Sequence, residues 1–322
     1  SASPYFSTSA RILYCDDDGQ IVTDHGKPKV RMGQEIIALG RCMRRIQPEY
    51  DIVLVNDSMT WLPTLYSGAV RKSLYYIQAY EPDFYKGSWS LKRMLQRAIS
   101  YASYYGVAHQ VVNSPLYLGY GPIKATEVVF PGIDLELFHP RNVEAFWFHQ
   151  KRSITVGTVG RQEPIKGTLA ALKGIKAFVD AGHEIRLKVA LGNVPPEFLG
   201  LPYLDVVPIE SDVQLADYYR SLDVLVVAGA EQFGAVHYPT LEGLASGVAV
   251  VTTNYLPATH QNAWMLDSAS PNQISTRLGE IVAAGAGIQN KLNQAFYDVK
   301  RFSWQESSEH MEWLILGHAI NK

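Results

Sequence analysis

The sequence predicts an α/β protein made of two doubly wound domains, each a parallel sheet with helices on both faces. Three observations carry that reading. Short apolar runs of strand length alternate with runs of helix length through both halves of the chain. The strand segments are apolar almost throughout, as strands buried on both faces are. The alternation breaks at FHPRNVEAFWFHQKRS, residues 138–153, so that 322 residues divide into two lengths that can each bury a core. A boundary is therefore expected near residues 139–152, with a cleft between the two domains.

In the first half, ARILYC and DIVLVN read as strands on either side of the amphipathic helix GQEIIALGRCMRRI. SLYYIQ is a further strand, SLKRMLQRAISYASYY a second helix, and HQVVNS and TEVVF complete the set. The second half repeats the rhythm. Its strands are SITVGTVG, IRLKVALG, DVLVVAG and VAVVTT, and its helices LAALKGIKAFVDAG, DVQLADYYRSL and LEGLASG. In open sheets of this kind ligands bind beyond the carboxyl ends of the strands, so the loops there are the ones to read.

Composition narrows the chemistry. A net charge of −2 argues against nucleic acid as the main partner, because a surface that tracks phosphates needs a basic excess. The two cysteines, Cys15 and Cys42, have no metal-ligand spacing and suit a reducing, cytoplasmic compartment without disulfides. No apolar run approaches the ~20 residues of a membrane span. The opening SASPYFSTSA lacks the charged and apolar regions of a signal peptide. Tyrosine is abundant, which suits carbohydrate surfaces and equally suits ordinary cores.

Two loops carry candidate chemistry. GRQEPIKG follows the strand SITVGTVG and opens a helix at about Thr168. Gly160 permits a close turn, Arg161 and Lys166 carry positive charge, and the helix beyond has free N–H groups. That combination suits a diphosphate, although a solvated basic loop has the same composition. EQFGAVHYPTLEGLASG has the corresponding position after DVLVVAG. There Glu242 reads either as a carboxylate favoured by the helix dipole at a helix start entered through Pro239 and Thr240, or as the acceptor of two ribose hydroxyls.

Taken together, PGIDLELFHP, GRQEPIKG, DVLVVAGAEQFG, LEGLASGVAVVTTN and FSW come in the order and spacing of a known family. Over about residues 50–310 the chain resembles retaining GT-B glycosyltransferases of family 4. YYIQAYEPDFYKGS is additionally similar to bacterial rhamnosyltransferases of surface-glycan assembly. The resemblance implies an N-terminal acceptor domain over 1–148, a C-terminal donor domain over 149–300, and a closing helix, 301–322, that packs back onto the first domain. It implies transfer of a sugar from a nucleotide-diphospho sugar to a glycan or lipid-linked glycan acceptor. No cofactor or metal is expected, since cationic side chains replace the metal and a leaving phosphate oxygen takes the acceptor proton.

Carried over residue by residue, the family pattern makes Arg161 and Lys166, beside Gly160, the clamp on the donor diphosphate. Glu242 becomes the ribose ligand, and Val207, Pro208 and Ile209 the main-chain contact to the nucleobase. An earlier glutamate of the pattern touches the transferred sugar. Here the chain departs from the family, which has seven residues between the pair where Glu231 and Glu242 have ten. Counted from the strand, Glu231 takes the role; counted back from Glu242, the place falls on Gly234. The backbone from Gly234 through Ala235 and His237 to Tyr238, with Thr240, is then expected to face the donor. The family's histidine after a first-domain strand is missing as well; YYIQAYEP offers Gln78, with Tyr80 and Glu81 beside it, as sugar or acceptor contacts.

Other features allow competing readings. Asp16 and Asp18 in CDDDG have the spacing of a metal–diphosphate site, but an acidic turn ending in glycine is the ordinary reading. KGSWSLKRMLQRAISYASYYG sets Trp89, Lys92, Arg93 and Arg97 beside Leu91, Met94 and Leu95. It reads as a surface helix with a core face, or as a peripheral contact on the inner face of an anionic membrane. A nucleotide-sugar epimerase would have the same shape, and a non-catalytic protein that binds nucleotide sugar or glycan would tolerate the stretched glutamate pair.

Overall fold

The computed structural model describes residues 14–15, 18–22, 32–87, 90–106, 109–141, 153–284 and 287–320. The chain forms two compact units. One ends at Val129 and resumes at Met311; the other runs Phe130–His310.

In the first unit, β3 (Val53–Val55), β4 (Ser73–Ile77), β5 (His109–Val112) and β6 (Glu127–Val128) form an all-parallel sheet in that order. β1 (Tyr14–Cys15) and β2 (Ile21–Val22) make a separate antiparallel pair, so the described part of ARILYC does not join the parallel sheet as expected. The helices are α1 (Met32–Ile46), α2 (Ser58–Ser67) and α3 (Leu91–Ser103). α2 has no apolar stripe for a sequence reading to find, and its ends define it instead. Asp57 accepts a hydrogen bond from Met59 N at 2.6 Å, and Gly68, at φ 81°, closes the other end. Leu314, with Met311 and Ile315, packs on Leu74, Val111 and Val129, which places the end of the last helix, α9 (Trp304–Ile320), in this unit.

The second unit holds a six-stranded, all-parallel sheet. In chain order its strands are β7 (Ile154–Val159), β8 (Ile185–Ala190), β9 (Leu204–Val207), β10 (Val224–Val227), β11 (Ala249–Thr252) and β12 (Trp264–Met265). In space the order is β12-β11-β10-β7-β8-β9. The other elements are α4 (Thr168–Asp180), α5 (Asp212–Arg220), α6 (Tyr238–Ala245), α7 (Pro271–Ala283) and α8 (Gly287–Asp298).

Apolar residues continue along β10 because alternate side chains enter two different layers. Val224 and Val226 join Leu172, Ile175, Phe178, Ile274 and Leu278 on one face. Leu225 and Val227 join Tyr219, Leu241, Leu244 and Phe302 on the other. Each such fully buried side chain contributes roughly 1.5–3 kcal/mol relative to exposure.

The change of unit at Val129–Phe130 falls earlier in the chain than residue 148. Ile133 and Phe138, with Phe130 and Leu137, are part of the second layer. Arg141 extends the attachment, donating to Leu222 O at 2.9 Å and to Asp223 at 3.2 Å. Most of the expected boundary segment lies outside the described residues, as do Asp16 and Trp89.

Candidate functional site

A cavity of about 180 Å³ opens beyond the carboxyl ends of β7 and β10 in the second unit. Thr158, Val159, Val226 and Val227 form its strand side; Arg161, Lys166, Val236, His237, Tyr238 and Pro239 complete the lining. Both cationic residues singled out from GRQEPIKG thus reach one cavity with the His237–Tyr238–Pro239 stretch.

The loop carrying the cations has little freedom. A Cβ on Gly160 would stand 1.7 Å from Gly192 O. Gly167 has φ +76°, and a Cβ there would stand 1.7 Å from Ala228 O. Between them, the Thr168 hydroxyl accepts from Arg161 N at 2.9 Å and lies 3.1 Å from Arg161 O. Ala230 N donates to Ile165 O at 2.9 Å and ties the turn to the end of β10. Gly167→Ala therefore combines left-handed backbone strain with a backbone clash. It is expected to lower stability by about 2–3 kcal/mol or more, read by urea unfolding.

Gly167 is the N-cap of α4 and His237 that of α6, and neither makes a side-chain capping bond. By contrast, α2, α5 and α7 are capped by Asp57, Ser211 and Ser270; α3, away from this cavity's lining, is also uncapped. The uncapped N-terminus of α6 thus lines the cavity with Arg161 and Lys166, while Gly167 and Thr168 at the start of α4 are buried outside the lining; the helix end and the two cations together favour an anion.

His237 stacks on Tyr255, with ring centroids 4.7 Å apart, and its buried Nδ1 has no hydrogen-bond partner. Burial, then the nearby Lys166 and Arg161 charges, hold its pKa down to about 3. The ring is neutral at physiological pH and can donate one hydrogen bond and accept another.

Glu242 lies one turn inside α6, which begins at Tyr238 and not at Leu241 as the sequence pattern LEGLASG suggests. Its first-turn dipole reading is thereby set aside. The carboxylate accepts from the hydroxyl of fully buried Tyr219 at 2.8 Å. Burial pushes its pKa up to about 7, against the opposing pull of the Tyr219 bond and the Arg161 charge. Thr240 is buried behind the helix, its hydroxyl 3.3 Å from that of Thr252.

The 231–237 segment is fastened to 254–256, which limits what its backbone can offer. Gly234 N donates to Asn254 O, Ala235 N to Gln232 O at 3.0 Å, and His237 N to Leu256 O at 3.3 Å. Val236, His237, Tyr238 and Pro239 line the cavity, and Gly234 and Ala235 do not. Glu231 is exposed and outside the lining; its carbonyl accepts from Tyr255 OH at 2.7 Å. At the end of β9, Val207 and Ile209 pack against the second apolar layer, and Pro208 is exposed.

The other three candidates belong to the first unit. Gln78 is exposed just after β4. Tyr80 stacks on Tyr104, with centroids 5.7 Å apart, and lies 4.4 Å from the Tyr120 ring. Glu81 is turned inward. Its oxygens accept from Ser58 N at 3.0 and 3.1 Å, from the Ser58 hydroxyl and from Tyr75 OH at 3.1 Å, and burial raises its pKa. So engaged at the start of α2, it offers no free carboxylate to a sugar or acceptor. Among the described residues no group of three His, Cys, Asp or Glu side chains is placed to hold a metal.

Three residues that build the site escaped the sequence reading: Tyr219 holds Glu242, Thr168 ties Arg161, and Tyr255 supports His237. Each lies in an apolar or turn context where a hydroxyl is ordinarily core or cap. The signal that could have found Tyr219 is a buried phenol needing a partner.

No family model matches the sequence. D-inositol 3-phosphate glycosyltransferase of Corynebacterium glutamicum (strain R) is 26% identical over 216 residues, 58% of this chain, which spans half the length of that relative. Sucrose-phosphate synthase from Thermosynechococcus elongatus aligns with a TM-score of 0.70 at 16% identity, covering 93% of this chain and 83% of that one. The Anabaena protein HepE, solved in complex with UDP-glucose, aligns at 0.67 and 12% identity, covering 88% and 84%. The fold is of GT-B type: two parallel-sheet α/β domains.

Proposed function

We propose that this protein is a glycosyltransferase that moves a sugar from a nucleotide-diphospho sugar to a hydroxyl of a glycan or related acceptor. The observation that supports it most is the cavity at the carboxyl ends of β7 and β10 that Arg161 and Lys166 share with the uncapped N-terminus of α6. A dissociating glycosyl bond leaves negative charge on the diphosphate, and fixed donors aimed at that charge lower the barrier without reorganising. Glu242 is largely buried and outside the cavity lining; held by Tyr219 and within electrostatic reach of Arg161, it is the carboxylate we assign to the two hydroxyls of a ribose. The Anabaena protein HepE was solved with UDP-glucose, a nucleotide-diphospho sugar, and the Corynebacterium relative is named a glycosyltransferase.

The finer reading is a family 4 enzyme with retention of anomeric configuration and no metal. The acceptor proton would pass to a phosphate oxygen of the leaving group, and rhamnose is the donor sugar suggested by YYIQAYEPDFY. A non-catalytic binder of nucleotide sugar is the second reading, favoured by the exposed position of Glu231 outside the cavity lining.

A melting-temperature screen with UDP-, GDP- and dTDP-sugars tests the donor site. A ligand present at about 100 times its Kd stabilises the native state by about 2.7 kcal/mol, so one nucleotide series should raise the transition by several degrees. No shift with any of them would refute the proposal. A shift without release of nucleoside diphosphate in the presence of glycan acceptors would favour the non-catalytic reading.

A further inference from the structure

We infer that the outer face of α3 is a docking surface for an anionic lipid bilayer. This helix is amphipathic, yet the side it buries carries serines and not Leu91, Met94 or Leu95. Ser100 and Ser103 are fully buried, and the Ser100 hydroxyl stands 2.9 Å from that of Ser58. Small hydroxyl side chains let α3 lie close to its neighbours. The large apolar residues point the other way: Leu91 is 82% exposed, Leu95 59% and Met94 52%, and Tyr101 and Tyr105 follow at helical spacing, also exposed. Phe84, half-exposed, stands on the turn that packs beside the helix. Among the described residues nothing covers this stripe.

The charge around it supplies the second observation. From Phe84 to Thr126 the chain has no aspartate or glutamate but five Lys and Arg residues, in a protein that carries 29 basic against 31 acidic residues overall. At about 100° per residue, Lys92 and Arg97 fall on opposite margins of the apolar stripe. Their long side chains can lay methylene groups along it with the charges outermost. Lys86, which is paired with Asp83 at 2.7 Å, is also close enough to Arg97 for their charges to act on each other. An exposed apolar stripe edged by cations is the pattern of a helix lying in the plane of a membrane interface.

A second copy of the chain suits the face poorly, because a two-fold contact would bring the Lys92 and Arg97 margins of one copy against the same cationic margins of the other. A lipid surface carrying negative headgroups meets the apolar stripe and its cationic margins together. The role is independent of the donor site, so the two proposals fail separately.

The test is flotation of the full chain with vesicles of phosphatidylcholine alone or with about 30% phosphatidylglycerol, at low and high salt, without donor. Binding is expected to the anionic vesicles and to weaken at least about tenfold in about 0.5 M salt. Arg97→Glu should weaken it by about tenfold as well. Leu91→Asp combined with Leu95→Asp should abolish it at unchanged melting temperature, since both side chains lie in solvent. Absence of binding to either vesicle would overturn the inference, as would undiminished binding of the double aspartate variant. A concentration-dependent dimer that the same variant dissolves would also overturn it and assign the face to a second copy.

Discussion

Alanine in place of Lys166 or of Arg161 is expected to reduce sugar transfer by about 10²–10³-fold while the melting temperature stays where it is. Both side chains are exposed and yet line the cavity, so their charge is available to a ligand and contributes little to the packing. The loss should appear mainly in kcat, because the negative charge to be met is greater in the transition state than in the bound donor. A rise in KM alone would mean that the two cations hold the donor without assisting departure of the leaving group. Turnover unchanged in both variants would remove the diphosphate from this cavity. Lys166→Ala has a further consequence, since it takes away one of the two charges that hold the His237 pKa down.

The two cations were legible in the sequence because their position follows from chain order. A strand ends, a glycine permits the turn, and a helix begins, so the intervening side chains must stand at the carboxyl edge of the sheet. The parallel strands were legible for a related reason, since residues on both faces of β10 and β11 are buried and leave apolar runs. β9 is different. Asp205 and Val206 are exposed, and the four-residue strand lies at the sheet edge, so the apolar run is too short to register. α2 was missed because its definition lies in its caps.

The glutamates show where spacing ceases to inform. Glu81 and Glu242 both read as candidate ligand carboxylates, yet one is enclosed by Ser58 and Tyr75 and the other is held by a single phenol. Those partners are 23 or 6 residues away along the chain, and only the folded arrangement of helices brings them together. Helix α6 begins at Tyr238, and His237, Tyr238 and Pro239 line the cavity while Glu231 lies outside it.

Replacement of Glu242 by glutamine is expected to have opposite effects on stability and on ligand binding. The carboxyl pKa is about 7 in the folded protein and about 4.3 in an unfolded chain, so the fold prefers the protonated form. Its contribution to stability is fully present below the unfolded pKa and is lost as pH rises through about 7. At pH 8 the folded protein holds an ionised, largely buried carboxylate. Glutamine keeps an acceptor for Tyr219 and removes that charge, so Glu242→Gln should melt higher than the wild type at pH 8 and nearly level with it at pH 5. Donor binding should move the other way. Two ribose hydroxyls donating to a carboxylate make charge-assisted bonds of roughly 1.5–3 kcal/mol each, and losing much of that weakens affinity by about 10²-fold or more. The wild-type Kd for a nucleotide sugar should fall as pH rises from 6 to 8, because the ionised form accepts both hydroxyls; in the variant this component of the pH dependence disappears. Calorimetry across that range, paired with melting curves, reads both effects. A variant that binds the nucleotide as tightly as the wild type would show that Glu242 is a buried structural carboxylate and that the ribose lies elsewhere.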